Sequence, residues 1–188
     1  VVFDRQMDSL VFELWQTDQR FHGSIDASIV KGTFDIPLKT FARNPALINL
    51  DYLNIDELEG ESEPSTIRPS RLPAFRLKAK SVRFHDMIFS DMLVDASPTG
   101  DLLEISKFDL RRDALLISSS GEWNYNEETN QHLSRIKTRV EGPELGEALA
   151  GLGFGNSMSG GTIELTGDFS WAAPIFQFSL EKLAGEAR

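Results

Sequence analysis

The chain has no cysteine in its 188 residues. Disulfides, zinc–thiolate sites, iron–sulfur clusters and thiol nucleophiles are therefore excluded, and the absence fits an oxidising compartment without requiring one. Histidine is scarce as well. His22, His85 and His132 are far apart and fall in polar phases of strands or at loop edges. No two have the spacing of metal ligands, so they read as solvent-facing strand residues. Long apolar runs are missing: none approaches the roughly 20 residues that span a bilayer. The opening Val1-Val2-Phe3-Asp4-Arg5 has no basic region leading into an apolar stretch, so there is no signal peptide in view. Basic charge is also in deficit, with 19 Lys and Arg against 29 Asp and Glu and a formal net charge of -10. Such a surface repels phosphate backbones and anionic headgroups, which disfavours nucleic-acid binding and simple electrostatic docking on a membrane.

Apolar residues are present at 40%, enough for a core, and the length fits one domain or a piece of a larger repeating architecture. The chain starts without Met and stops at Ala187-Arg188 just after a strand-like segment, so it reads as a fragment, residues 1–188, whose anchoring elements lie elsewhere.

Most segments alternate with a period of two. Asp8 to Gln19 is open between helix and strand, since Leu10, Val11, Leu14 and Trp15 suit either. Phe21, Gly23, Ile25, Ala27 and Ile29 alternate with polar residues, and Lys31-Gly32 is expected as a turn before a short strand Thr33–Ile36. Ile48, Leu50 and Tyr52 follow. Residues 57–71 are rich in Glu, Ser and Pro and read as a flexible loop. Phe75, Leu77 and Ala79 then alternate with Arg76, Lys78 and Lys80, and a change of phase near Ser81 predicts a bulge. Further strands are expected around Ile88–Val94, Ile105–Leu110, Leu115–Tyr125, Leu133–Val140, Ile163–Trp171 and Phe176–Leu180. One helix is signalled from Pro143 to Leu152, with Leu145, Ala148, Leu149 and Leu152 on one stripe and Gly153 and Gly155 as its stop.

These elements predict a mainly β fold: a strongly curved antiparallel sheet, an open barrel or groove, with one or two short helices. One amphipathic helix cannot cover so large a sheet. Either the sheet curls on itself or one apolar face is covered by something outside the chain.

No catalytic constellation emerges. Ser118-Ser119-Ser120-Gly121 lacks the nucleophile-elbow context and reads as a strand with a polar face. The glycines of Gly151-Leu152-Gly153-Phe154-Gly155 end a helix instead of opening one, so they read as a helix stop, not a phosphate cradle. Asp86 and Asp91 read as solvated strand residues. The apolar strand faces have two readings, an ordinary closed core or a trough that shields acyl chains, and composition alone favours the core.

An ordered set of short motifs shifts that weighting. It runs through Leu72-Pro73-Ala74-Phe75-Arg76-Leu77, Gly121-Glu122-Trp123, Gly142-Pro143-Glu144-Leu145-Gly146-Glu147-Ala148-Leu149 and Leu152-Gly153-Phe154. It continues through Met158-Ser159-Gly160-Gly161, Leu165-Thr166-Gly167-Asp168-Phe169-Ser170-Trp171, Pro174-Ile175-Phe176-Gln177-Phe178-Ser179-Leu180 and Leu183-Ala184-Gly185. In this order the motifs resemble the C-terminal portion of the YhdP family of AsmA-like proteins, with weaker extensions at Gly32–Pro37 and Leu50–Leu53. The resemblance implies a periplasmic protein anchored to the inner membrane by regions missing from this chain, with a long β-groove similar to that of eukaryotic bridge-like lipid-transfer proteins. It implies phospholipid transport between inner and outer membranes, phospholipid acyl chains and the remaining repeats as partners, and neither a catalytic motif nor a cofactor. The expected groove face carries Phe75, Leu77, Ile117, Trp123, Ile136, Val140, Leu165, Trp171, Phe176 and Phe178. The alternatives are a non-catalytic scaffold module of the cell envelope, pairing by its sheet edges, and a hydrolase acting on envelope material.

Overall fold

The computed structural model describes residues 10–17, 19–39, 43–55, 67–84, 86–143, 162–177 and 184–187. The strands are β1 (Val11–Thr17), β2 (Arg20–Asp26), β3 (Val30–Pro37), β4 (Ala46–Asn54), β5 (Phe75–Phe84) and β6 (Met87–Thr99). They continue as β7 (Leu102–Arg112), β8 (Leu115–Asn126), β9 (Gln131–Pro143), β10 (Thr162–Trp171) and β11 (Ala184–Ala187). All belong to one 11-stranded sheet in which each strand lies beside its neighbours in sequence. The sheet is curved and open, with β1 and β11 as its edges.

Every pairing is antiparallel except β4 with β5, which is parallel. That joint departs from the all-antiparallel expectation, and its cause is the connection. A parallel neighbour requires the chain to travel back along the strand, which takes a dozen or more residues; residues 55–74 supply them. Residues 67–74 of this connection are described. Pro69–Arg71 forms a short 3-10 helix with Pro69 buried, so the segment read as a flexible loop ends in a turn packed on the sheet.

Period-two alternation gives the sheet one apolar and one polar face. The registers make this continuous. Phe12, Ile25, Gly32, Leu50, Ala79, Met92, Leu110, Ile117 and Val140 form a single row from β1 to β9, each the Cα partner of the next. The row beside it on the opposite face runs Glu13, Ser24, Thr33, Asn49, Lys78, Leu93, Asp109, Ser118 and Arg139.

The phase change expected near Ser81 is present: Ala79 and Val82 are both buried although three positions apart. Leu50 and Leu53 on β4 and Phe89 and Met92 on β6 repeat it. The three strands therefore keep step with one another, and the irregularities appear at their flanks, between Lys31 and Gly32 and between Ser90 and Met92. Asp91 takes φ 61° at the second of these, the left-handed conformation that Asp tolerates better than most residues.

Several expectations are corrected. The Asp8–Gln19 segment resolves as strand β1. Lys31-Gly32 lies inside β3 and is not a turn; the turn falls at residues 27–29, where the Ala27 N–H donates to the Val30 carbonyl. Phe176 belongs to a turn after β10 and not to a strand, with the Gln177 N–H donating to the Pro174 carbonyl. Pro143 is the last residue of β9, opposite Thr162. The rest of the predicted helix, the Gly160-Gly161 turn and Phe178 lie outside the described residues.

Candidate functional site

Two buried clusters divide the apolar face. One gathers Leu50, Leu53, Val82, Met87, Phe89, Met92, Leu110, Leu115 and Val140. The other gathers Ala96, Leu103, Ile105 and Trp123. Between them runs a second continuous row: Leu14, Gly23, Phe34, Ile48, Leu77, Val94 and Phe108, again Cα partners in sequence. Phe34, Ile48, Leu77, Val94 and Phe108 are each half-buried. Val94 and Phe108 pack against both clusters. This row is a seam: a line of large apolar side chains held between two closed cores but not sealed by either.

At the β1 edge the seam opens. Phe12 and Leu14 are each 54% exposed. Phe12 stacks on Phe34 at 5.6 Å between ring centroids. Phe34 in turn lies over Gly23, where an added Cβ would sit 2.2 Å from the ring. The glycine thus makes room for an aromatic side chain lying along the sheet.

At its other end, past Phe108, the seam changes character. The next positions are Ser119 on β8, Thr138 on β9 and Gly167 on β10. The Ser119 and Thr138 hydroxyls are hydrogen-bonded to each other at 3.0 Å.

One margin of the apolar face is plugged. Ile67, Leu72 and Ile175, from outside the strands, pack against the Trp123 cluster. Trp123 has no exposed surface. Its indole N–H donates to His132 Nδ1 at 3.1 Å, and Phe176 meets it edge-on at 5.5 Å. Arg68 lies 4.6 Å above the Tyr125 ring and pairs with Glu127. Two further bonds tie down the turn after β10: Ser134 Oγ donates to the Ala173 carbonyl at 2.7 Å, and Trp171 Nε1 donates to the Pro174 carbonyl at 3.1 Å.

The polar face is laced with cross-strand ion pairs. Arg76 binds Asp95 through two nitrogens, and Lys80 meets Asp51 at 2.7 Å. The hydrogen bond and charge of Lys80 hold the Asp51 carboxyl below its ordinary range, and Asp51 raises Lys80 by the same contact. At the β1–β3 end, Asp35 binds Arg20 and sits 3.2 Å from His22. A shallow trough of about 1560 Å³ spans β7–β10, and Glu104, Lys107, Glu122, Lys137 and Asp168 are among its lining residues. Acids and bases balance there, as on a solvated outer surface. No group of three His, Asp or Glu side chains gathers among the described residues. Nor is any helix among them long and apolar enough to cross a membrane.

The registers place Phe75, Leu77, Ile117, Trp123, Ile136, Val140, Leu165 and Trp171 at positions of one face. Their settings differ. Trp123 and Val140 are buried in the two clusters and Trp171 is buried outside them; Phe75, Leu77, Ile117 and Ile136 are half-buried; Phe176 is exposed in the turn after β10. Sequence reasoning missed the seam itself, notably Phe34, Ile48, Val94 and Phe108. Their alternation was visible, but a row running across strands depends on registers that the shifts at 31/32 and 90/92 reset.

No curated protein and no solved structure matches the chain. Among protein families, the one described as YhdP protein matches residues 1–188. The motif order, the open curved sheet and this match over the whole chain agree: the chain belongs to the YhdP family of AsmA-like, cell-envelope-associated proteins.

Proposed function

We propose that the chain is a non-catalytic, lipid-handling module whose seam shields acyl chains from water, and that it contributes to phospholipid transport between the inner and outer membranes. On this reading the module works in the periplasm, within a protein anchored to the inner membrane through regions outside this chain. The observation that carries it is the half-buried row Phe34–Ile48–Leu77–Val94–Phe108, continuous in register and opening onto exposed Phe12 and Leu14. Each methylene buried against such a row contributes about 0.8 kcal/mol, so a chain is held without any specific polar contact. From β1 to β7 the row crosses six strand spacings, roughly 29 Å. One leaflet's hydrocarbon is about 15 Å thick, so the seam is long enough for an acyl chain to slide along it.

Native mass spectrometry of the chain purified from a Gram-negative host, with lipid extraction alongside, tests the proposal. Co-purifying phospholipid that is lost in Leu77→Asp, with the fold retained, supports it. A bare protein mass and no uptake of fluorescent phospholipid sink it. A scaffold role is the second reading, favoured by β1, which is exposed along its whole length and offers an unpaired edge for strand addition. Under that reading, Leu77→Asp leaves binding to neighbouring repeats intact and no lipid is found.

A further inference from the structure

The seam does not end in another apolar residue. After Leu77, Val94 and Phe108 the same row meets Ser119 and Thr138, hydrogen-bonded to each other across β8 and β9. Ser119 is only 9% exposed. A hydroxyl carries one donor and two acceptor sites, and the mutual bond uses one donor and one acceptor. One O–H therefore remains for a further partner, among positions held by Phe108, Ile117, Val140, Ile136 and Gly167, the last with the Phe169 ring folded over it. Buried donors in folded proteins are normally satisfied. Thr138 is half-buried, so the pair can be reached from outside the sheet; Gly121 beside it is closed, since a Cβ there would meet the Arg135 carbonyl oxygen at 2.2 Å.

We infer that the Ser119–Thr138 pair is the polar stop of the seam and donates a hydrogen bond to the ester carbonyl of a glycerol-ester lipid whose acyl chain lies along Phe108, Val94 and Leu77. The inference rests on the lipid reading of the seam and names the side chains that meet the ester linkage. A plain hydrocarbon has no acceptor to offer the pair. A fatty-acid carboxylate or a phosphate calls for a cation, and the nearest candidates in sequence, Lys137 and Arg139, alternate with Thr138 and so belong to the opposite face. A neutral carbonyl acceptor is the chemistry that fits a lone hydroxyl donor in an apolar row.

The test uses the full chain offered an equimolar mixture of diester phosphatidylcholine and its diether analogue of equal chain length, with bound lipid counted by native mass spectrometry. The ether linkage removes the carbonyls and leaves chains and headgroup unchanged. The expected result is a preference of about three- to ten-fold for the diester, equivalent to one net hydrogen bond. Thr138→Val and Ser119→Ala are each expected to bring the two lipids to parity by lowering diester uptake to that of the diether, whose own uptake stays the same. Equal uptake by the wild-type chain, which needs no variant to fold, overturns the inference, as does a preference that survives in both variants. If the wild-type chain takes up neither lipid, the lipid reading of the seam itself fails, an outcome distinct from equal uptake.

Discussion

Trp15 and Trp123 each sit on a strand beside a histidine ring, 6.1 Å from His22 and 5.6 Å from His132. One is 50% exposed and the other has no exposed surface. The pairings look alike, but Trp15, the Cα partner of His22, lies on the polar face, whereas Trp123 lies on the apolar face, bonds its histidine through the indole N–H and is covered. Trp123 lies beneath Ile67, Leu72, Ile175 and Phe176, contributed by the β4–β5 connection and by the turn after β10. Across β1 every residue is exposed on either face. Cover from the segments between strands thus closes the Trp123 cluster, whereas the larger cluster closes on strand side chains with Ile55 alone from outside them, and β1, the edge of the β1–β3 wing, has neither kind of cover.

The sharpest way to test that contrast is to remove an aromatic side chain from each region. Trp123→Ala is expected to destabilise the chain by about 3–5 kcal/mol, the range for a fully buried aromatic. Phe12→Ala is expected to cost less than about 0.5 kcal/mol, as at an exposed site. Urea unfolding of the two variants decides it, and equal effects would erase the distinction between wing and core. Gly23→Ala probes a tight contact of the wing. The new Cβ would fall 2.2 Å from the Phe34 ring and 2.5 Å from the Glu13 carbonyl oxygen, and the overpacking is expected to cost about 1–3 kcal/mol. Were the cost absent, the Phe12–Phe34 stack would have to be free to swing away. Ser134→Ala removes the bond to Ala173 beneath the plug and leaves a carbonyl short of a partner, with an expected loss of about 1–2 kcal/mol in the same assay.

The smallest effect belongs to the polar face. Asp51 titrates below its ordinary value because of Lys80, so its contribution to stability is present above the unfolded-state value and is lost as pH falls through the folded one. An NMR titration is expected to find this carboxyl lowered in the native chain and restored toward 3.8 in Lys80→Met. High salt should weaken the shift, since the pair is solvent-exposed. A shift that persists without Lys80 would place its origin elsewhere.

Much of this fold was legible in the sequence, because period-two alternation fixes which residues share a face. Phe75, Leu77, Ile117, Ile136 and Val140 could be grouped from alternation alone, and the phase change near Ser81 marked the shared irregularity of β4–β6. Three features were hidden, each for a physical reason. Lys31-Gly32 carries a turn signal, yet this glycine serves a close approach: a Cβ there would meet the Asn49 carbonyl oxygen at 2.3 Å. The true turn contains Ile29, a buried apolar residue that resembles strand. The parallel β4–β5 joint depends on where a Ser- and Pro-rich connection docks, and only Ile67, Pro69 and Leu72 betray it. The seam required registers between strands, which no single strand's pattern contains.

The strand order carries a consequence for how such a sheet changes length over evolutionary time. Because each strand lies beside its sequence neighbours, duplicating or deleting one hairpin adds or removes about 10 Å of sheet and leaves every other pairing untouched. Hairpins change the strand count by two and preserve the direction of all that follows. A parallel joint such as β4–β5 shifts the alternation of strand direction once, so the two edge strands β1 and β11 run in opposite directions, where an all-antiparallel sheet of eleven would have them run the same way.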